Sequence, residues 1–409
     1  MAQATIYGRT DVGYGVKAAQ NGDGSTNFKQ TGVMDGGNAG SRIGFRGTED
    51  LGGGMKAHFV TEQGISPTNA ALFGVRTGTI GAQYDGYAAA SGNDPGSAGG
   101  YTQGTNRQSY VALEGDFGTV RVGYQYTSLY EVATLSGFTQ TSEGMAGGSI
   151  AHLWGNGVAG GTRANGIRYI SPKLAGAWTV AVDMGSTTGR EQTEFVGAVN
   201  TADGRSLNKA ARTGLHIDYN AGPLRAAFAY TTLDQMLNAQ GNNNAAGIGA
   251  ATANSVLNQF NVYGALTNIA GTAGTTNVGT QTNLSQLAGS YNFGMIKVGA
   301  TINSGQSTAT TTTVATSAVT QAVTNISSRA VSFDMPMGAM NLVGGFNNAS
   351  TDVGGVAATD WASSQFGLKY NFSKRTLMYG YTGTSTNNLA TGTTLKVITG
   401  TLIGIDHQF

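Results

Sequence analysis

The sequence predicts an all-β chain, a single antiparallel transmembrane β-barrel of sixteen strands spanning residues 1–409. Three observations predict it. Segments of about ten residues alternate apolar with small or polar side chains from one end to the other, the length a tilted strand needs to cross a bilayer. The connections read as alternately short and long. Nowhere do about eighteen apolar residues run together, so no membrane-spanning helix is readable. A spanning chain of this kind must close its sheet, because only then is every backbone N–H and C=O paired inside lipid.

The first segment sets Ile6, Gly8, Thr10, Val12, Tyr14 and Val16 on one face and Tyr7, Arg9, Asp11 and Lys17 on the other, as a period of two requires. Ile43 and Phe45 then stand against Arg42 and Arg46, and Val120, Val122, Tyr124 and Tyr126 against Arg121 and Gln125. Further on, Trp178, Val180, Val182 and Met184 oppose Asp183; Leu215, Ile217 and Tyr219 oppose Arg212, His216 and Asp218; Phe366, Leu368 and Tyr370 oppose Gln365 and Lys369. A soluble β-sandwich alternates in the same way, with its apolar face on a core. The connections have to separate the two.

Seven short connections read as turns: 49–53, 116–118, 172–176, 220–223, 293–294 and 336–338 carry Gly, Pro, Asn or Asp at turn positions, and 372–374 carries Ser373. Seven hairpins, with a first strand at 4–18 and a last at 399–409, give sixteen strands and bring both termini to one side. Gly/Asn/Ser/Thr/Ala-rich stretches around 65–104, 128–160, 187–211, 234–282 and 305–327 read as long loops. Thr308–Thr313 and Gln240–Asn254 are too poor in large apolar groups to pack a domain of their own. Leu257–Tyr263 alternates well enough to be a strand, but no tight turn adjoins it, so it is placed in a loop.

Composition excludes several classes. Gly 65, Pro 5, Cys 0 and 11% charged residues, at a mean hydropathy of −0.13, fit neither a conventional soluble enzyme nor a helical membrane protein. The formal charge of +1 offers no basic excess for nucleic acid. Met1-Ala2-Gln3-Ala4 enters strand pattern at once, which suggests that a signal peptide has been removed and Met1 added. His58, His152, His216 and His407 are scattered without metal-ligand spacing, so no metal and no cofactor is expected. Gly155–Gly160 matches a dinucleotide fingerprint in letters only, with no strand before it and no helix after. Asn21–Ser25 has one acidic side chain, too few for a calcium loop, and reads as a turn. No Gly-x-Ser-x-Gly occurs, and nothing local sets a histidine beside a nucleophile, so no enzyme activity is expected.

Several motifs carry a family resemblance along nearly the whole chain: Ile6-Tyr7-Gly8-Arg9, Ser41-Arg42-Ile43-Gly44-Phe45-Arg46-Gly47-Thr48-Glu49-Asp50-Leu51-Gly52-Gly53-Gly54, and Gly118-Thr119-Val120-Arg121-Val122-Gly123. Asn165-Gly166-Ile167-Arg168-Tyr169-Ile170-Ser171-Pro172, Ser290-Tyr291-Asn292-Phe293-Gly294, Tyr370-Asn371-Phe372-Ser373-Lys374 and the terminal Ile403–Phe409 add to it. The chain resembles the trimeric general porins of Gram-negative bacteria, in particular the β-proteobacterial branch of Comamonas, Burkholderia and Neisseria. It departs from enterobacterial porins in lacking an acidic Pro-Glu-Phe-Gly-Gly element in the third long loop.

The resemblance implies an outer-membrane homotrimer with periplasmic turns, extracellular loops and a third loop folded into the lumen. Its partners would be membrane lipid and lipopolysaccharide, the barrel-assembly machinery, and small hydrophilic solutes and ions that diffuse passively. The terminal Phe409 resembles the assembly signal, and also suits a membrane-interface aromatic. The site is then a field of opposed charges across a narrow lumen. Arg9, Arg42 and Arg163 match the family's basic wall; Arg46, Arg121 and Arg168 point inward by phase. Arg107 points outward by phase unless a bulge intervenes. Glu131 and Glu143, the only acids between Asp116 and Asp183, and Glu62 at the end of a strand would oppose them, with mild anion selectivity if the arginines dominate. A substrate-specific channel, a barrel enzyme and an adhesin are the alternatives.

Overall fold

The computed structural model describes residues 3–35, 37–65, 67, 106–133, 163–186, 208–237, 276–313 and 318–409. Among them, seventeen strands form one antiparallel sheet: β1 (Gln3–Asn21), β2 (Thr26–Asp35), β3 (Arg42–Gly52), β4 (Met55–Gly64), β5 (Asn106–Gly115), β6 (Gly118–Tyr126), β7 (Arg163–Ile170), β8 (Trp178–Ser186), β9 (Asn208–Ala221), β10 (Leu224–Leu237), β11 (Thr276–Asn292), β12 (Lys297–Thr313), β13 (Ala318–Met337), β14 (Met340–Val353), β15 (Val356–Asn371), β16 (Thr376–Asn387) and β17 (Leu395–Gln408). A helical turn, α1 (Ser128–Ala133), follows β6.

The sheet closes on itself. One edge of β1 pairs with β17; the other pairs with β3 through Gln3–Arg9 and with β2 through Val12–Gln20. β2 and β3 are therefore two halves of one stave, and the seventeen segments make sixteen staves. At the seam Gly8 and Phe409 exchange both backbone hydrogen bonds at 3.1 Å. A β-carbon on Gly8 would lie 2.3 Å from the Phe409 ring, so the terminal aromatic can cross β1 only over a glycine. Closure leaves no unpaired edge.

The burial pattern is that of a soluble protein turned inside out. Along β17, Ile403 is 62% exposed and Ile405 54%, while Asp406 between them and His407 is 1% exposed. On β15 Phe366, Leu368 and Tyr370 face outward and Ser363 and Gln365 are buried. Apolar rows on the outside are favourable only against lipid, since each large side chain removed from water is worth about 1.5–3 kcal/mol. Near the short turns, aromatic pairs mark a membrane interface: Trp178 with Tyr219, ring centroids 4.8 Å apart, Tyr291 with Phe293 at 4.6 Å and Tyr370 with Phe372 at 5.0 Å.

All seven predicted short turns join consecutive strands. Gly338, with φ of 66°, occupies a left-handed position between β13 and β14 that only glycine takes without strain. The alternation of short with long, however, fails in the C-terminal half. The stretch 305–327, read as a loop, is almost all strand: β12 continues to Thr313 and β13 begins at Ala318. The predicted loops 187–211 and 234–282 likewise lose their margins to β9, β10 and β11. At the same end Gly354-Gly355 turns β14 into β15. Low hydrophobicity excludes a packed domain, but it does not exclude the extension of a sheet whose backbone partners already exist. Polar cross-strand pairs line this extension: Thr282 with Ser307 at 2.9 Å, Asn303 with Ser328 at 2.7 Å, Gln306 with Asn325 at 2.9 Å and Ser327 with Ser350 at 2.9 Å. Leu257–Tyr263 and Gly155–Gly160 lie outside the described residues.

Candidate functional site

Arginines line the inner face from β1 to β7, and their placement follows from phase. Arg42 and Arg46 alternate with the outward Ile43 and Phe45, and Arg121 with the outward Val122. Arg107 breaks phase. Glu62 pairs with Gln108 and Gln63 with Asn106, which leaves Arg107 as the extra residue of a β-bulge. The bulge turns Arg107 inward, and its Nε donates to Glu62 Oε1 at 2.7 Å. Arg42 Nη1 lies 3.8 Å from the same oxygen, and the Tyr7 hydroxyl donates to Glu62 Oε2 at 3.2 Å. Arg46 sits over the Tyr7 ring at 5.0 Å and Arg121 over the Tyr110 ring at 5.2 Å. The expected acid therefore stands among the arginines of its own wall. Among the described residues, two arginines against one carboxylate give this Arg42–Glu62–Arg107 cluster a formal charge of +1.

Arg9 stands apart from this cluster: its Nε reaches Asp406 Oδ1 on β17 at 3.1 Å. Asp406 lies in the inward phase of the last strand, the signal by which sequence reasoning could have found it.

After β6 the chain turns into the barrel. Thr127, Ser128, Leu129 and Val132 are buried, and α1 packs on the inner faces of β8 to β11. Its anchor is ionic. Arg168, 1% exposed, donates from Nη2 to Glu131 Oε2 at 2.6 Å and from Nη1 to the Tyr126 carbonyl at 3.1 Å. His216 Nδ1 lies 3.4 Å from the same Glu131 oxygen. Asp183 on β8 accepts from Arg212 on β9 and from the Ser128 hydroxyl at the start of the helix. Gly214 leaves room for that carboxylate, since a β-carbon there would lie 2.6 Å from either Asp183 oxygen. Burial works against the ionised form of Glu131, but Arg168 and His216 outweigh it and hold its carboxyl below the ordinary value.

Arg168 and Glu131 thus bond to each other directly, which replaces the expected picture of charges facing across open water. Asp183, Arg212 and His216, read only as members of a polar face, turn out to be the other half of this anchor. Arg163 opens β7 opposite Tyr126; its side chain, Glu143 and His152 lie outside the described residues. Among the described residues no group of His, Asp and Glu side chains is arranged to hold a metal. His58 pairs with Glu114 at 3.1 Å and His407 with Thr376 at 2.9 Å, on separate strands.

A sequence model of the Gram-negative porin family matches residues 1–390. The chain is 29% identical over 198 residues to the major outer membrane protein P.IB of Neisseria meningitidis, covering 47% of this chain and 48% of that protein. It is 31% identical over 236 residues to the outer membrane porin protein 32 of Delftia acidovorans, covering 56% and 54%. The matched stretch therefore spans about half the length of these curated relatives. Among solved structures, an anion-selective porin from Comamonas acidovorans superposes with a TM-score of 0.61 at 21% identity, over all of both chains. OmpF of Salmonella typhi in complex with daunomycin superposes at 0.56 and 14% identity, over 99% of this chain and 97% of the other. At these identities the superpositions establish the fold.

Proposed function

The chain belongs to the Gram-negative porin family, and from that premise we propose that it is an outer-membrane channel for passive diffusion of ions and small hydrophilic solutes. The observation that carries this reading is the closed sixteen-stave wall with apolar rows outside and charged, hydroxyl and amide groups inside. Such a wall surrounds a polar path with a low-dielectric rim, where fixed charges act over the full width of the lumen.

Selectivity falls to the basic wall of Arg42, Arg46, Arg107 and Arg121, with Glu62 moderating it and α1 narrowing the path. The reading is a weak preference for anions, in keeping with the anion-selective relative. The assembly is a homotrimer in lipid and lipopolysaccharide, inserted by the barrel-assembly machinery with Phe409 as its recognition end. Reversal potentials in a salt gradient across a planar bilayer test the channel and its selectivity together. Wild type should give discrete conductance steps and an anion-favouring potential, and Arg42→Ala should shift that potential toward cations. An absence of steps would remove the channel reading, and an unshifted potential would remove Arg42 from the selective wall.

A further inference from the structure

The second stave is interrupted between β2 and β3, and the interruption leaves the wall toward the inside. Gly37, Asn38 and Ala39 are buried, and their neighbours are inner-face side chains of β1, β16 and β17. A β-carbon on Gly37 would lie 2.0 Å from the Tyr379 hydroxyl and 2.5 Å from Leu402 Cδ2. At the other end of the segment, one on Gly40 would lie 3.1 Å from Arg107 Nη1. The segment therefore reaches across the lumen face from β16 to the arginine cluster, and Arg42 follows it directly in the chain.

One side chain gathers the contacts that hold it there. Asp11, 0% exposed, accepts at Oδ2 from the backbone N–H groups of Asn38 at 2.6 Å and Ala39 at 2.5 Å. Its Oδ1 accepts from the Tyr379 hydroxyl at 2.6 Å. Its own N–H donates to Ser41 Oγ at 3.0 Å. The Asn38 side chain completes the clamp, donating to Asp406 Oδ2 at 2.6 Å and accepting from the Tyr381 hydroxyl at 2.7 Å. Among the described residues no arginine or lysine forms an ion pair with Asp11, so its carboxylate is satisfied by the segment and by Tyr379. A buried carboxylate is stable only with such donors, and Asp11 Oδ2 in turn satisfies the two buried amides of Asn38 and Ala39.

Resting on the channel reading, we propose that Asp11 is a positioning residue that pins Gly37–Ser41 inside the barrel, making this segment a second constricting element beside α1 and fixing the stance of Arg42 and Arg107. The segment borders the path, and Asp11 acts through it without touching a permeant ion.

The test uses the full chain, which has no cysteine of its own. Ala39→Cys places a thiol at a buried position of the segment, and its modification by a membrane-impermeant reagent reports release. Asp11→Asn should raise single-channel conductance by about half or more and speed thiol modification by about tenfold or more. Tyr379→Phe keeps the carboxylate, removes one donor, and should move both readouts in the same direction by less. Conductance and thiol rate unchanged in Asp11→Asn would overturn the proposal. Should Asp11→Asn not insert as a heat-modifiable barrel, Tyr379→Phe decides alone, and unmoved readouts overturn the proposal equally. If wild type gives no steps, the channel reading fails, while the thiol rates still show whether the segment is latched.

Discussion

Among the described residues, Arg42 and Arg107 on the β3–β5 wall share one carboxylate, Glu62, and Arg168 and Arg212 on the β7–β9 wall meet two, Glu131 and Asp183. The first group leaves a formal +1 beside the path, and its arginine side chains are 19% and 11% exposed. The second sums to zero, with arginine side chains 1% and 6% exposed. The same residue type on the same inner face thus does two jobs. Where carboxylates are fewer than guanidinium groups, a surplus charge is left for the lumen on the proposed reading; where they match, the charges bond to each other and hold α1 to the wall. Inward phase does not distinguish the two, whereas the count of partners among the described residues does.

The largest effect should come from unbalancing the Arg168–Glu131–Asp183–Arg212 cluster. Asp183→Asn leaves Arg212 short of its partner and frees Ser128, at a cost of about 3 kcal/mol, since breaking a buried ion pair strands the surviving charge. Urea unfolding in lipid vesicles should show this loss, whereas Arg42→Ala should cost under about 1 kcal/mol, as a partly solvated pair does. Equal losses from the two would erase the distinction drawn above.

Next in size is the response of α1 to acid. Because the Glu131 carboxyl is held below its ordinary value, its ionic anchorage is complete throughout and above the ordinary carboxylate range, and is lost as pH falls through the lowered value. Current noise from a loosened α1 should therefore rise only at strongly acid pH, and Glu131→Gln should show the same noise at neutral pH. Noise that begins near neutrality in wild type would place its source elsewhere.

On the β3–β5 wall, Glu62→Gln raises the formal charge of the cluster from +1 to +2 and should increase anion over cation permeability by about twofold. Arg107→Gln lowers that charge to zero and should reduce the ratio by a similar factor. Reversal potentials moving the same way in both variants would contradict a field set by this cluster.

The smallest effect is expected in the turn between β1 and β2. There the Ser25 hydroxyl and backbone N–H donate to Asp23 and hold its carboxyl below the ordinary value. Ser25→Ala should let it rise toward that value in an NMR titration, with conductance unchanged. A conductance change would mean that an exposed turn charge reaches the path.

Much of this architecture can be read without coordinates because the bilayer imposes a strict period. Alternation with apolar side chains outward, seven short turns and a terminal aromatic strand specify sixteen staves, and Ile403, Ile405 and Phe409 keep that phase to the end. The Thr/Ser/Asn-rich reach 305–327 escaped because hydrophobic patterning reports contact with lipid. Strands continuing beyond the bilayer are held by neighbours' backbones and by polar pairs such as Gln306 with Asn325, which leave no apolar trace. The inward turn of Arg107 was legible only as a condition, since a single bulge reverses phase and its position depends on β4.

From the sequence alone came the closed barrel, its strand number and, Arg107 apart, the inward phase of the basic side chains, because these follow from local periodicity and the need to pair every backbone group in lipid. Which inward charges neutralise one another was left to tertiary structure, as was the folding of Gly37–Ser41 onto Asp11. Both depend on partners brought together from distant strands, Asp183 with Ser128 and Asp11 with Tyr379. Coulombic and hydrogen-bond energies vary steeply over a few ångströms, a distance that no spacing along the chain encodes.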